Sequence, residues 1–150
     1  TLFRSVRAWA DGSQVRTTGS IRSIILGGST GSDFLAGIVP VGEGGPARHA
    51  AAIADFDAAA RIGAIRMTGV PGENRANPFL LDSNFSAATM GVVNLVNCTT
   101  PSGVYARSDG SGREILAVVH RDLGTRAVWV WRSTSVPGDM GSVTVSVLDA

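Results

Sequence analysis

The side chains able to do chemistry in this chain are few and far apart. Two histidines, His49 and His120, stand 71 positions from one another, beside a single cysteine, Cys98, and 12 carboxylates. Zinc calls for paired cysteines or a His-Glu-x-x-His spacing, and neither occurs. Asp33, Glu43, Asp55, Asp57, Glu73, Asp82 and Asp109 carry the oxygen ligands that calcium prefers. No EF-hand loop organises them, so they read as solvated loop carboxylates, with a calcium bridge between subunits the one metal role left open. Cys98 excludes an internal disulfide and reads as a small buried hydrophobe on a strand. All 13 basic residues are arginine. Without lysine there is no Walker-A lysine, no Schiff-base lysine and no ATP-pairing lysine. No cofactor and no metal is expected.

Nucleophilic relays fare no better. His120-Arg121-Asp122 has the three letters of the protein-kinase catalytic loop. No Gly-rich phosphate loop precedes it, and it stands at a strand end before Leu123-Gly124-Thr125, where polar residues make an ordinary hairpin turn. His49 with Asp55 or Asp57, and the turn Pro137-Gly-Asp-Met-Gly-Ser142, resembles the parts of a chymotrypsin-like protease. Met140 holds the place of the nucleophilic serine, a thioether cannot attack a carbonyl, and Ser142 comes two residues late. Gly27-Gly28-Ser-Thr-Gly31 lacks the Gly-Lys-Ser/Thr ending of a phosphate cradle. No catalytic residue is assigned, and the chain reads as a non-enzyme. Asn84-Phe-Ser86 and Asn97-Cys-Thr99 have the glycosylation spacing. Trp9, Trp129 and Trp131 suit a sugar-stacking platform by type, but all three lie in apolar strands, which favours packing between layers.

The 150 residues carry a net charge of +1, with arginines scattered from Arg4 to Arg132. Nucleic-acid partners call for a concentrated basic stripe, so none is expected. No apolar run approaches the roughly 18 to 20 residues that cross a bilayer, so no membrane insertion is expected and the chain reads as soluble. It opens at Thr1 with no leader pattern and reads as a processed product or excised domain. Its length suits a single domain over 1–150.

The elements that would position any site are strands. Arg113 to His120, Arg126 to Arg132 and Ser142 to Val147 are rich in β-branched and aromatic residues and are separated by turns. In the second, Ala127, Trp129 and Trp131 share one face while Val128, Val130 and Arg132 share the other. Further short strands precede them, and an alanine-rich stretch from Pro46 to Arg61 predicts one short helix. No internal repeat is evident. Many short strands punctuated by Gly and Pro predict an all-β fold, an antiparallel β-sandwich or jelly roll. Its exposed interaction loops would be Gly27, Gly28, Ser29, Thr30, Gly31 and Ser32, and Ser108, Asp109, Gly110, Ser111 and Gly112.

The order Ile21-Arg-Ser-Ile-Ile-Leu26, Phe34 to Pro40, a helical insert over 46–61, then Ala127 to Val136 and Gly141 to Val147 resembles the jelly-roll coat protein of a small icosahedral virus, in its shell or protruding domain. That resemblance implies a capsid protein located in the virion, which assembles with copies of itself as a homo-oligomer and meets a host receptor or glycan through its loops. A ligand- or glycan-binding β-sandwich, such as a phage fibre tip, is the alternative; a viral protease with Met140 in place of its nucleophile is the second.

Overall fold

The computed structural model describes residues 6–39, 48–132 and 142–149. Among these described residues thirteen strands fall into two sheets. The larger holds β1 (Val6–Asp11), β3 (Ile24–Thr30), β5 (Arg61–Met67), β6 (Leu80–Leu81), β8 (Thr89–Val96), β9 (Cys98–Thr99), β11 (Ile115–Arg121) and β12 (Val128–Arg132). The smaller holds β2 (Gln14–Thr17), β4 (Asp33–Ala36), β7 (Asn84–Ser86), β10 (Gly103–Arg107) and β13 (Thr144–Leu148). Along the chain the strands pass back and forth between the sheets, with β5 and β6, β8 and β9, and β11 and β12 following one another within the larger. Every strand pairing but one is parallel, the exception being β11 with β12.

The antiparallel sandwich is therefore overturned. Parallel neighbours need a crossover of a dozen or more residues, usually a helix. Here each parallel crossover passes through a strand of the opposite sheet, so the described residues wind as a solenoid of stacked coils with almost no helix. Short strands between Gly-rich turns read the same way for a meander as for a coil, because strand periodicity carries no direction.

The winding rests on a repeat that the sequence pattern hides. Ser13, Ser32, Ser83 and Ser102 occupy the same corner of successive coils. The N–H of Ser13 donates to Ser32 Oγ at 3.1 Å, Ser32 N–H to Ser83 Oγ at 3.2 Å, and Ser83 N–H to Ser102 Oγ at 3.4 Å. The Ser13, Ser32 and Ser83 hydroxyls each donate to the carbonyl two residues earlier. Donor and acceptor are thus both satisfied inside the wall. Gly12, Gly31 and Asp82, each just before its serine, turn the corner with φ of 53°, 57° and 46°, a region that glycine enters freely and aspartate tolerates. The first and third steps span 19 residues and the middle one 51. Insertions stretched that middle coil and masked the period.

Side chains stack coil upon coil. Inside the smaller sheet Val15, Phe34, Phe85, Val104 and Val145 share one row, with the two phenylalanine rings stacked at 5.1 Å. Inside the larger, Ile24, Ile65, Val93, Val118 and Trp131 do the same. Trp129 and Trp131 face inward on β12 while Val128 and Val130 face out, as the alternation in that strand requires.

The helix expected over 46–61 is also overturned. Residues 46 and 47 lie outside the described residues, and the rest holds one 3-10 turn, Ile53–Asp55. Asp55 accepts the N–H groups of Ala51 and Ala52 at 2.7 and 2.9 Å, which closes a turn. Ala50 and Phe56 pack on Leu35, Ile38 and Ala88. Burial against the sheet outweighs alanine's modest helix preference.

Candidate binding cleft

Two insertions of the larger sheet meet. Residues 68–79 leave the wall between β5 and β6, and the turn 122–127 joins β11 to β12. Unbroken β3 pairs with both halves of the interrupted coil, Ile24 to Leu26 with Ile65 to Met67 and Ser29 to Thr30 with Leu80 to Leu81. The excursion is therefore rooted at both ends.

Asn97 ties the two insertions together. It sits at a kink between β8 and β9 with φ 45°, and is 6% exposed. Its amide nitrogen donates to the carbonyls of Arg75 and Asn77 at 2.5 and 2.6 Å, and its amide oxygen accepts the N–H of Leu123 at 2.7 Å. Asp122 shapes the turn by accepting the N–H groups of Gly124 and Thr125, both at 2.8 Å. The Thr125 N–H, foremost, holds its carboxyl below the usual carboxylate range.

Between the insertions lies a cleft of about 360 Å³, with Val70, Pro71, Phe79 and Leu123 among its walls and Glu73 and Arg75 at its rim. A second recess of about 320 Å³ shares Arg75 and Leu123 and adds Arg121, Arg126 and Val128, together with Asp122, whose carboxylate is bonded to its own turn. Arg75, Arg121 and Arg126 are exposed. Among the described residues, the ion pairs are those of Arg48 with Asp33 and Asp82, so the three cleft guanidiniums have no carboxylate partner. Glu73 receives a hydrogen bond from Asn77 at 3.3 Å, and Asp122 serves its own turn. Arg126 is held at φ 65°, a conformation that an arginine adopts only against a steric penalty.

The residues singled out for catalysis do not converge. The His49 ring stacks on Tyr105 at 4.2 Å, and its Nδ1 lies 2.9 Å from the Ala50 carbonyl. Asp55 caps its turn, and Asp57 accepts the Ala59 N–H at 2.9 Å. Met140 lies outside the described residues. His120 is buried, accepts the Cys98 N–H at Nε2 (3.1 Å) and stacks on Trp129. Burial pushes the Cys98 thiol far above its ordinary range, so it stays protonated and is a poor nucleophile. Among the described residues no cluster of three metal-ligating side chains forms, and Glu43 lies outside them.

The expected loop Gly27 to Ser32 is corrected. Gly27, Gly28, Ser29 and Ser32 are buried in β3 and its corner, because this run of small residues lets other parts of the chain lie on it. A Cβ on Gly28 would stand 2.9 Å from the Trp9 ring. Ser108 to Gly112 does form a turn with Asp109, Gly110 and Ser111 exposed. There Asp109 accepts the Ser111 N–H at 2.8 Å. Asn84 and Asn97, the glycosylation candidates, are buried and spend their amides on internal bonds. The three tryptophans make no common platform, since Trp131 is buried, Trp129 is half-buried and Trp9 pairs with Phe79.

The cleft residues went unnoticed in the sequence because Arg75, Arg121 and Arg126 are scattered along it; only the coil-to-coil register brings them together. Compared with protein-family models, curated proteins and solved structures, the chain matches none.

Proposed function

We propose that this solenoid is a non-catalytic binding module whose cleft takes an anionic ligand, best a carboxylated glycan. The observation that carries the reading is the set of three arginines, Arg75, Arg121 and Arg126, gathered around an open recess without carboxylate partners among the described residues. A guanidinium fork matches a carboxylate in two parallel hydrogen bonds. Val70, Pro71, Leu123 and Val128 offer apolar surface to the C–H faces of a sugar ring. Catalysis finds no support there: Asp122 is held ionised and bonded to its own turn, which leaves it unable to deliver a proton near neutral pH. The coat-assembly expectation drew on the antiparallel sandwich, and parallel coils lend it no ground.

The test is equilibrium binding of oligogalacturonate against an uncharged glucose oligomer of the same length. The uronate should bind and weaken with added salt. Arg121→Gln and Arg126→Gln should each weaken it by roughly tenfold. Equal binding of the neutral oligomer, or indifference to both substitutions, would sink the reading.

A further inference from the structure

The outer face of the larger sheet, which reaches the cleft at Arg121 and Val128, has a composition of its own. β3, β5, β8, β11 and β12 contain Arg61, Arg66, Arg121 and Arg132 and no aspartate or glutamate. Those four arginines are exposed. Between them stand aliphatic side chains that a soluble wall would bury: Val92 is 41% exposed, Leu116 56%, Val128 55% and Val130 53%. The register sets them on a grid. Arg66, Asn94, Val119 and Val130 form one row, and Ala64, Val92, Ala117 and Arg132 the next. Adjacent strands lie about 4.8 Å apart, so each row is a close-spaced ridge.

We infer that this face docks on an anionic lipid bilayer surface. Charge complementarity selects the occupant. A second copy applied face to face would bring arginine against arginine, and like charges across an interface oppose association. A soluble polyanion would satisfy the arginines but leave the valines and Leu116 in water. Nucleic acid is likewise a polyanion that would leave those aliphatic side chains in water, and β12 offers no stacking platform for a single strand, since Trp131 is buried and Trp129 stacks on His120. A bilayer with anionic headgroups supplies negative charge for the guanidiniums and an apolar boundary for the aliphatic side chains, as at other peripheral membrane surfaces. The chain would lie on the membrane by this face.

The experiment is co-sedimentation of the 150-residue chain with vesicles of phosphatidylcholine alone or mixed with phosphatidylglycerol. The variants lie away from the cleft: Arg66→Gln with Arg132→Gln, and separately Leu116→Ser with Val130→Ser. Partition into the anionic vesicles that falls with salt, and that drops roughly tenfold in either double variant, is the expected result. All four sites point outward, so circular-dichroism melting should match the parent. Arg66→Gln alone replaces any variant that fails to fold. Absence of binding, equal binding to both vesicle types, or binding unchanged by the variants would overturn the inference. So would a dimer in light scattering that dissociates in the Leu116→Ser, Val130→Ser protein without any vesicle binding, since the face would then belong to a second copy.

Discussion

Excursions leave the coils beside both sheets, and arginine plays opposite parts in them. At the smaller sheet, Arg48 is spent on the fold. Its Nε donates to Asp33 at 3.1 Å and its Nη1 to both Asp82 oxygens at 2.8 and 3.0 Å, and Asn84 completes the coordination of Asp33 at 2.8 Å. Those bonds, to Asp33 first, raise the Arg48 pKa above its already high value. At the larger sheet, Arg75, Arg121 and Arg126 surround a cleft whose carboxylates are engaged elsewhere. There a neutral amide, Asn97, does the anchoring, and the guanidiniums form no ion pair among the described residues. The same side chain is a clamp where its counterions are built in, and in the reading proposed above a binding group where the described residues supply none.

That contrast can be broken by substitution. The largest effect should come from Asn97→Ala, which orphans two carbonyls and an N–H around a buried site. We expect a loss of about 2–4 kcal/mol in urea unfolding, together with loss of uronate binding, because the two cleft walls part. A variant that kept both would deny Asn97 its anchoring part. Next, Arg48→Ala leaves the nearly buried Asp33 with Asn84 as its remaining side-chain partner and should destabilise by about 1–2 kcal/mol. Cleft affinity should stay unchanged, and a fall in it would couple the two regions. Arg126→Gly removes a left-handed conformation from a residue with a Cβ and should raise stability by about 1 kcal/mol while weakening uronate binding. Stability and binding moving in the same direction would count against a strained binding residue. Smallest is Arg121→Gln, an exposed change expected to shift stability by less than about 0.5 kcal/mol; a larger loss in thermal melting would mean that Arg121, like Arg48, is structural.

Some of this was legible beforehand. The strands around Trp129 and Trp131, and which of their residues face inward, follow from two-residue alternation. Cys98, Trp129 and Trp131 as packing residues follow from their apolar surroundings, whereas Trp9 stays 40% exposed. The solenoid was legible in principle, through Gly12-Ser-Gln-Val15, Gly31-Ser-Asp-Phe34 and Asp82-Ser-Asn-Phe85. These share a corner residue, a serine and an inward hydrophobe two positions later. Insertions before the third copy hide the period, and glycine-rich turns invite an antiparallel reading. The exposed loop expected at Gly27 to Ser32 failed for a related reason: small residues suit a turn, and equally a wall on which Trp9 must lie.

What the sequence by itself determined is local. Alternation sets the inner and outer faces of each strand, small and left-handed residues set the corners, and the absence of lysine and of close-set cysteine or histidine removes whole classes of chemistry. What only the tertiary structure decided is which coil lies on which. Strand direction, the serine ladder and the meeting of Arg75 with Arg121 and Arg126 all depend on hydrogen bonds between residues 19 or more positions apart. Contacts at that separation are chosen by the packing of the whole core, and no local pattern of residues encodes them.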